Sequence, residues 1–301
     1  MMEKINILLT GASGLLGRVV WRHFSALDAF HVVGTAFRRT NSALVPLNLL
    51  DPTSIREVVQ ATRPEIIIHC AAERRPDVSE SQHDATLALN AQATGTLAEC
   101  AKPYDSKFIY ISTDYVFEGT QPPYAEMAMP RPLNFYGQTK LAGEQAVAAM
   151  LPTRHYILRL PILYGPVTRL DECPAMALAQ ALLATDPVAL DHWAVRFPTL
   201  TDDVALVLEQ MVARIARDGL AAGVYHWQSD EAFTKYELTK AMEEILGVAT
   251  DHLVPVTTPS SEAPRPQNCQ MVCAGLEKLG IGHRTPLRSV IGSLLQPFMR
   301  A

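Results

Sequence analysis

Residues 5–17, INILLTGASGLLG, leave this chain few choices of fold. The apolar run 5–9 reads as a buried strand, and it breaks into a turn carrying Gly11, Gly14 and Gly17. Leu15, Leu16, Val19 and Val20 then recur at helical spacing. A strand feeding a helix through such a turn is the opening unit of a parallel α/β sheet. The spacing is G-x-x-G-x-x-G rather than the commoner G-x-G-x-x-G, but each glycine has a comparable task. Gly11 admits the tight turn, Gly14 lets backbone N–H groups approach a pyrophosphate, and Gly17 lets the helix pack close to the sheet. The helix N-terminus adds a partial positive charge and free donors. A glycine-rich turn with no ligand is the plainer alternative. The position of the turn, at the first strand of an α/β pattern, favours a nucleotide.

Composition removes several function classes. The 301 residues are 48% hydrophobic and 19% charged, with a net charge of -5. That suits a large core and argues against a nucleic-acid surface or a polybasic membrane contact. No apolar run reaches the roughly 18 residues of a membrane span. Glu3 and Lys4 lead directly into the first strand, unlike a secretory leader. The five cysteines (Cys70, Cys100, Cys173, Cys269 and Cys273) fit neither a zinc site nor a disulfide framework, and they read as reduced thiols of a cytoplasmic protein.

A second strand over 31–36 ends in Phe37-Arg38-Arg39, where an adenosine ribose lies in a dinucleotide fold. An acid there would bind a free 2′-hydroxyl. Arginines suit a 2′-phosphate, with Phe37 available to cover the adenine, so NADP is favoured over NAD. A short third strand, 44–47, leads to Asn48 and Leu49, with Asn48 in reach of the adenine edge. Asp51 and Pro52 then start a helix as N-cap and first residue. The fourth strand, 65–69, is followed by Cys70, Ala71 and Ala72, small residues where a cofactor needs room. Arg74 lies in the charged loop 73–77 beyond them. A helix over 84–101 carries Asn90, either solvent-facing or making a structural or cofactor-shaping hydrogen bond.

The fifth strand, 107–111, runs into Ser112 and Thr113 at the mouth of the sheet, and a helix follows over 134–150. Tyr136 and Lys140 stand at i and i+4, on one face of that helix. A tyrosine needs its pKa lowered from about 10 to act near neutrality, and an ammonium one turn along is expected to stabilise its phenolate. Thr113 would then hold a substrate carbonyl against the phenol. The plainer alternative for Tyr136 and Lys140 is a helix-start tyrosine and a surface lysine. The glycine turn upstream in the same chain favours the chemical reading.

The segments TGASGLLG, STDYVFEG and PLNFYGQTKLAGE make the chain resemble the extended short-chain dehydrogenase/reductases, and among them the dTDP-4-dehydrorhamnose reductase family. The resemblance implies a Rossmann-type fold and a catalytic set of Thr113, Tyr136 and Lys140. It implies cofactor contacts from Gly11, Ser13, Gly14, Leu15, Leu16, Gly17 and Cys70 to Ala72. It also places the stretch RLPILYGP, with Leu163, beside the nicotinamide, and matches Arg265 to an R-P-x-N motif. The segments AFRR, NLLD, HCAAERRPDVSE, DHWAVRFPT, RPQNCQM and LGIGHRTP are similar to one branch, the regulatory beta subunits of methionine adenosyltransferase. The loop 73–77 departs from the pattern of the rhamnose reductases, and the chain stops short of the beta subunits' C-terminal tail.

Downstream, a helix is expected over 170–185, another from Asp202 to about 217 with Thr201 as its cap, and a strand over 223–227. Thr234 should cap a helix over 235–246, and Thr285-Pro286 should open a last helix ending near Pro297. His192 and Trp193 read as packing residues. Arg196 and Arg265 are candidates for a diphosphate or another anion. The expected architecture is α/β: a Rossmann-type doubly wound parallel sheet over 1–163, and a smaller C-terminal substrate lobe over 164–301 from which some segments return to the sheet. The expected function is NADPH-dependent reduction of a nucleotide-linked 4-keto sugar. The alternative is a non-catalytic NADP-binding subunit that partners a methionine adenosyltransferase catalytic subunit. If the arginines after the second strand read a 2′-phosphate, Arg38→Ala with Arg39→Ala weakens NADPH binding at least about tenfold more than NADH binding in calorimetry. Equal losses would remove the argument.

Overall fold

A computed structural model of the chain describes residues 4–38, 42–259 and 263–299. The apolar runs become strands β1 (Ile5–Thr10), β2 (Phe30–Ala36), β3 (Val45–Pro46), β4 (Ile66–His69), β5 (Lys107–Thr113) and β6 (His155–Leu160). Shorter strands follow as β7 (Leu163–Tyr164), β8 (Val188–Asp191), β9 (Thr199–Leu200), β10 (Gly223–His226) and β11 (Leu253–Val256). The central sheet has seven strands in the order β10-β6-β5-β4-β1-β2-β3, and every pairing in it is parallel. The order reverses direction between β1 and β4. In a doubly wound sheet that reversal opens a crevice at the carboxyl ends of the strands. The third strand is shorter than the expected 44–47. It lies at the sheet edge and contains Pro46, which has no N–H for a ladder.

The helices are α1 (Leu15–Ser25), α2 (Pro52–Thr62), α3 (Pro76–Ser81), α4 (His83–Leu87), α5 (Ala93–Ala101) and α6 (Phe135–Met150). Beyond them come α7 (Pro174–Ala177), α8 (Thr201–Ile215), α9 (Lys235–Leu246), α10 (Ala274–Glu277) and α11 (Leu287–Met299). Helices α1 and α8 pack on one face of the sheet through Val19, Val20, Phe24, Val204, Leu208 and Met211. The other face is covered through Ile55, Val59, Leu97, Ala98 and Val147, from α2, α5 and α6. A third apolar cluster, with Tyr164, Met176, Leu190, Met242, Leu253 and Ile291, forms the core of the C-terminal lobe. The segment from α8 to β10 leaves that lobe and rejoins the sheet.

Local chemistry explains most boundaries. Asp51 caps α2 by accepting from the Thr53 N–H at 2.9 Å, and Thr234 with Glu237 forms a capping box on α9. Three expectations change. The helix expected over 84–101 is interrupted by a π turn, Ala88–Gln92, with Asn90 buried inside it. The helix expected over 170–185 is in three pieces. Pro174 restricts Cys173 to an extended conformation, so a 3-10 turn at Leu170–Glu172 cannot run on into α7. Thr201 is the first residue of α8 rather than its cap; Leu200 holds the cap position with no side-chain bond.

The last helix runs past Pro297 to Met299. The segment before it is fixed by buried Asp203 on α8. That carboxylate accepts from His283 Nδ1 at 2.8 Å, from the Thr285 N–H at 2.7 Å and from Thr285 Oγ1 at 2.7 Å. The two-stranded sheet of β8 and β11 was not expected from the sequence. No helix among the described residues is long and apolar enough to cross a membrane.

Candidate functional site

A cleft of about 920 Å³ lies over the carboxyl ends of the strands, between the sheet and the C-terminal lobe. Its size is that of a ligand site. Gly11, Ser13, Gly14, Leu15, Leu16 and Gly17 line it between β1 and α1. Phe37, Arg38, Asn48 and Leu49 line it beyond β2 and β3, and Cys70, Ala71, Ala72 and Arg74 beyond β4. Thr113 ends β5, Tyr136 and Lys140 come from α6, and Leu163 from β7. Arg196 and Arg265 face them from the far wall. The structure therefore brings the sequence-predicted site residues together in one cavity, except Arg39, which lies outside the described residues.

The glycine turn fits a phosphate. Gly11 has φ of +71°, and a Cβ on it would meet the Ala71 nitrogen at 2.8 Å. A Cβ on Gly17 would overlap the Gly11 carbonyl oxygen, so α1 starts closer to the sheet than any other residue allows. Gly14 differs. A side chain there would meet a single neighbour, the Gly11 oxygen at 3.2 Å. Gly14 is also the cap residue of α1, with no side-chain cap bond and no acid in the first turn. The first N–H groups of the helix are thus left for an anion. Exposed Phe37 and Arg38 line the cleft beyond β2, with the guanidinium 6.0 Å from the Phe37 ring centroid.

At the other end of the cleft, Lys140 is buried at 3% exposure. Its Nζ donates to the Ile111 carbonyl at 2.7 Å and lies 4.0 Å from the Tyr110 ring centroid. Burial pulls its pKa down to about 7, against the pull of Glu144. The Tyr136 phenol behaves differently from the sequence expectation. Burial pushes its pKa up, and the neighbouring Thr113 hydroxyl is the strongest opposing influence. Lys140 directs its ammonium at a backbone carbonyl and an aromatic face, so it does not produce the expected lowering. Cys70, beside it, is pushed up to about 12 by burial.

Asn90 is a structural clamp rather than a solvent-facing residue. Its Oδ1 accepts from the Glu73 N–H at 2.8 Å, and its Nδ2 donates to the Glu73 carbonyl at 2.9 Å and to Thr139 Oγ1 at 3.1 Å. The π turn frees its own carbonyl to accept from Thr94 Oγ1 at 2.9 Å and from the Tyr110 hydroxyl at 3.2 Å. Such turns recur at functional sites. Asn90 thereby ties the root of the loop 73–77 to the helix that bears Tyr136.

Sequence reasoning missed the buried pair beneath the cleft and Lys235 beside it. Glu144, one turn beyond Lys140, and Arg159 on β6 form a bidentate pair at 2.9 and 2.6 Å, with side-chain exposures of 4% and 3%. Ser112 Oγ adds a hydrogen bond to Glu144 at 2.5 Å, and His226 Nε2 faces Arg159 at 3.4 Å. The i+4 step from Lys140 to Glu144 was the available signal. On the far wall, Arg196 donates to the Val195 carbonyl at 2.7 Å and to the Tyr115 hydroxyl at 3.3 Å. Arg265 pairs with Asp77 of the opposite loop at 2.8 Å. Lys235 joins that wall, its pKa pulled down first by burial and then by Arg265. Arg196, Arg265 and Lys235 thus bring three cations to this wall, with Asp77, Asp114 and Asp191 beside them.

The model of the RmlD substrate binding domain matches residues 5–300. The chain belongs to this family. Methionine adenosyltransferase 2 subunit beta from Mus musculus is 43% identical over 304 residues, covering 99% of this chain and 90% of that protein. The dTDP-4-keto-6-deoxy-D-glucose reductase of Streptomyces niveus is 35% identical over 250 residues, covering 83% of this chain and 81% of that one. The dTDP-4-dehydrorhamnose reductase of Bacillus anthracis, solved in complex with NADP, superposes with a TM-score of 0.83 at 24% identity over 99% of both chains. That likeness shows the fold.

In this family member the Arg159–Glu144 pair sits where neither charge reaches water. Arg159→Met leaves the Glu144 carboxylate buried without its partner, and stability to urea falls by about 3–5 kcal/mol. The double variant Arg159→Met with Glu144→Leu recovers most of that loss.

Proposed function

We propose that this chain binds NADP(H) in the cleft and reduces a ketone carried on a nucleotide-linked sugar. One observation carries this reading: Thr113, Tyr136 and Lys140 line the same cavity as the glycine turn and the three cations of the far wall. Gly11 to Gly17 and the start of α1 would hold the pyrophosphate, and Arg38 the adenosine end. When bound, the reduced nicotinamide supplies a hydride to the ketone carbon.

The remaining roles belong to the chain. Thr113 orients the carbonyl by hydrogen bonding. Tyr136, its pKa pushed up by burial, keeps its proton at neutral pH and gives it to the oxygen as negative charge develops there. Lys140, fixed by the Ile111 carbonyl, places a positive charge or a donor beneath the reacting groups. Arg196, Arg265 and Lys235 offer the diphosphate of the substrate its counter-charges. The test is NADPH oxidation across a panel of nucleotide-linked keto sugars. Wild-type protein turns over at least one of them, and Tyr136→Phe loses at least about a hundredfold in kcat with little change in NADPH affinity. Tight NADPH binding with no turnover on any panel member would overturn the reading.

A second reading is supported by the 43% identity to a methionine adenosyltransferase subunit across 99% of this chain. In it the nucleotide is a structural ligand and the protein associates with a methionine adenosyltransferase catalytic subunit. Co-purification with the synthetase of the same source, together with a change in its KM or kcat, is the expected outcome. Absence of both would remove this reading.

A further inference from the structure

A buried ammonium is costly unless something offsets its charge. Lys140 is 3% exposed, and the carboxylate one turn on is already balanced: Glu144 accepts two hydrogen bonds from Arg159 and one from Ser112. The Ile111 carbonyl accepts one of the three N–H groups on Nζ, at 2.7 Å. Against the rest of the charge stands the face of Tyr110, with Nζ 4.0 Å from the ring centroid. A ring attracts a cation out to about 6 Å, and most strongly where water is excluded. The ring is itself held in place. Its hydroxyl donates to the Asn90 carbonyl at 3.2 Å and fills the space that a side chain on Gly143 would need. The His69 ring stacks on it with centroids 5.8 Å apart, and is fixed by Thr10 Oγ1 at 2.6 Å and Thr94 Oγ1 at 3.0 Å. Burial keeps both rings neutral, lowering the His69 pKa to about 3 and raising that of the Tyr110 phenol. Among the described residues, Lys140 is the one cation on the Tyr110 ring.

Resting on the reductase reading above, we propose that Tyr110 is the positioning residue for Lys140, its ring face holding the ammonium at the reacting end of the cleft. The choice of a ring has a chemical consequence. A carboxylate in that place would strengthen the hold of the amine on its proton and could take the proton itself. A ring face attracts the charge and accepts no proton. The N–H groups not used by the Ile111 carbonyl stay available to a ligand in the cleft. Tyr136 and Lys140 share a face of α6, so an ammonium free to leave the ring would leave the phenol without a fixed charge beside it. The titratable groups facing the ammonium are Glu144 on its own helix, His69 on β4 and Cys70 just beyond that strand. Tyr110 also faces Tyr136. Burial holds His69 and Cys70 neutral.

The test replaces Tyr110 in the full chain by phenylalanine, and by phenylalanines carrying one, two and three ring fluorines. Tyr110→Phe keeps the ring, and the Asn90 carbonyl keeps its bond from Thr94. Each fluorine draws charge away from the ring face and leaves its shape almost unchanged, so a packing role alone gives no trend. The first readout is the Nζ resonance of Lys140 in protein carrying isotope-labelled lysine, assigned by its loss in Lys140→Met. Its titration midpoint lies near pH 7 in wild type, where burial has pulled it. It falls stepwise along the fluorine series, by at least about half a pH unit in total. The second readout is the pH profile of NADPH-dependent ketone reduction. The charged amine is present below its pKa and lost above it, so wild-type kcat falls above about pH 7. That limb moves to lower pH by the same steps, while KM for the ketone stays within about twofold. A midpoint that does not move along the series makes Tyr110 a packing residue and overturns the proposal. A midpoint that moves while the kcat limb stays overturns it too, and leaves the reductase reading standing. No turnover by wild type on any ketone overturns the reductase reading and, with it, a part for Tyr110 in reduction.

Discussion

The molecule depends on how closely α1 approaches the turn before it. A Cβ on Gly17 would overlap the Gly11 carbonyl, and one on Gly11 would meet the backbone of Ala71. Without side chains at these points, the ends of β1 and β4 come together at the place where the strand order reverses. The first turn of the helix then faces the open crevice. The glycine end of the cleft and the seam between the two halves of the sheet thus follow from the same two missing side chains. Bulk at either position would move the helix away from the sheet and close the site from below.

Elements with local signatures were legible in the sequence. The glycine turn, the buried strands and the Tyr136–Lys140 spacing each depend on neighbours within about one helical turn, and the fold they imply is the one observed. Asp51 and Thr234 were legible as caps for the same reason. What escaped depends on partners distant in sequence or on the main chain. The strands β8 and β11 are four residues each and pair across more than sixty intervening positions. The π turn at Asn90 exists because Glu73, Thr139 and Tyr110 converge there. No spacing rule shows that Lys140 would spend its ammonium on the Ile111 carbonyl, because a carbonyl is present at every residue. Burial, rather than the lysine, then sets the direction of the shift at Tyr136.

The buried charges divide by purpose. Glu144 and Arg159 satisfy each other completely, with Ser112 and His226 closing the remaining positions. Such a pair fixes the register of α6 against β5 and β6 more than it adds stability. The cleft charges are less complete. Lys140 and Asp114 are both held near neutrality by burial, where small changes in their surroundings alter their protonation.

The contact between Asp77 and Arg265 spans the mouth of the cleft, with Asp77 rooted through the Asn90 clamp and Arg265 on the opposite wall. The Asp77 side chain is 54% exposed. An ion pair that wet is worth no more than about 1 kcal/mol. It works as a latch rather than a lock. Thermal agitation alone can undo it. Rising salt should weaken this one contact and leave the buried pair of Glu144 and Arg159 beneath the cleft unaffected.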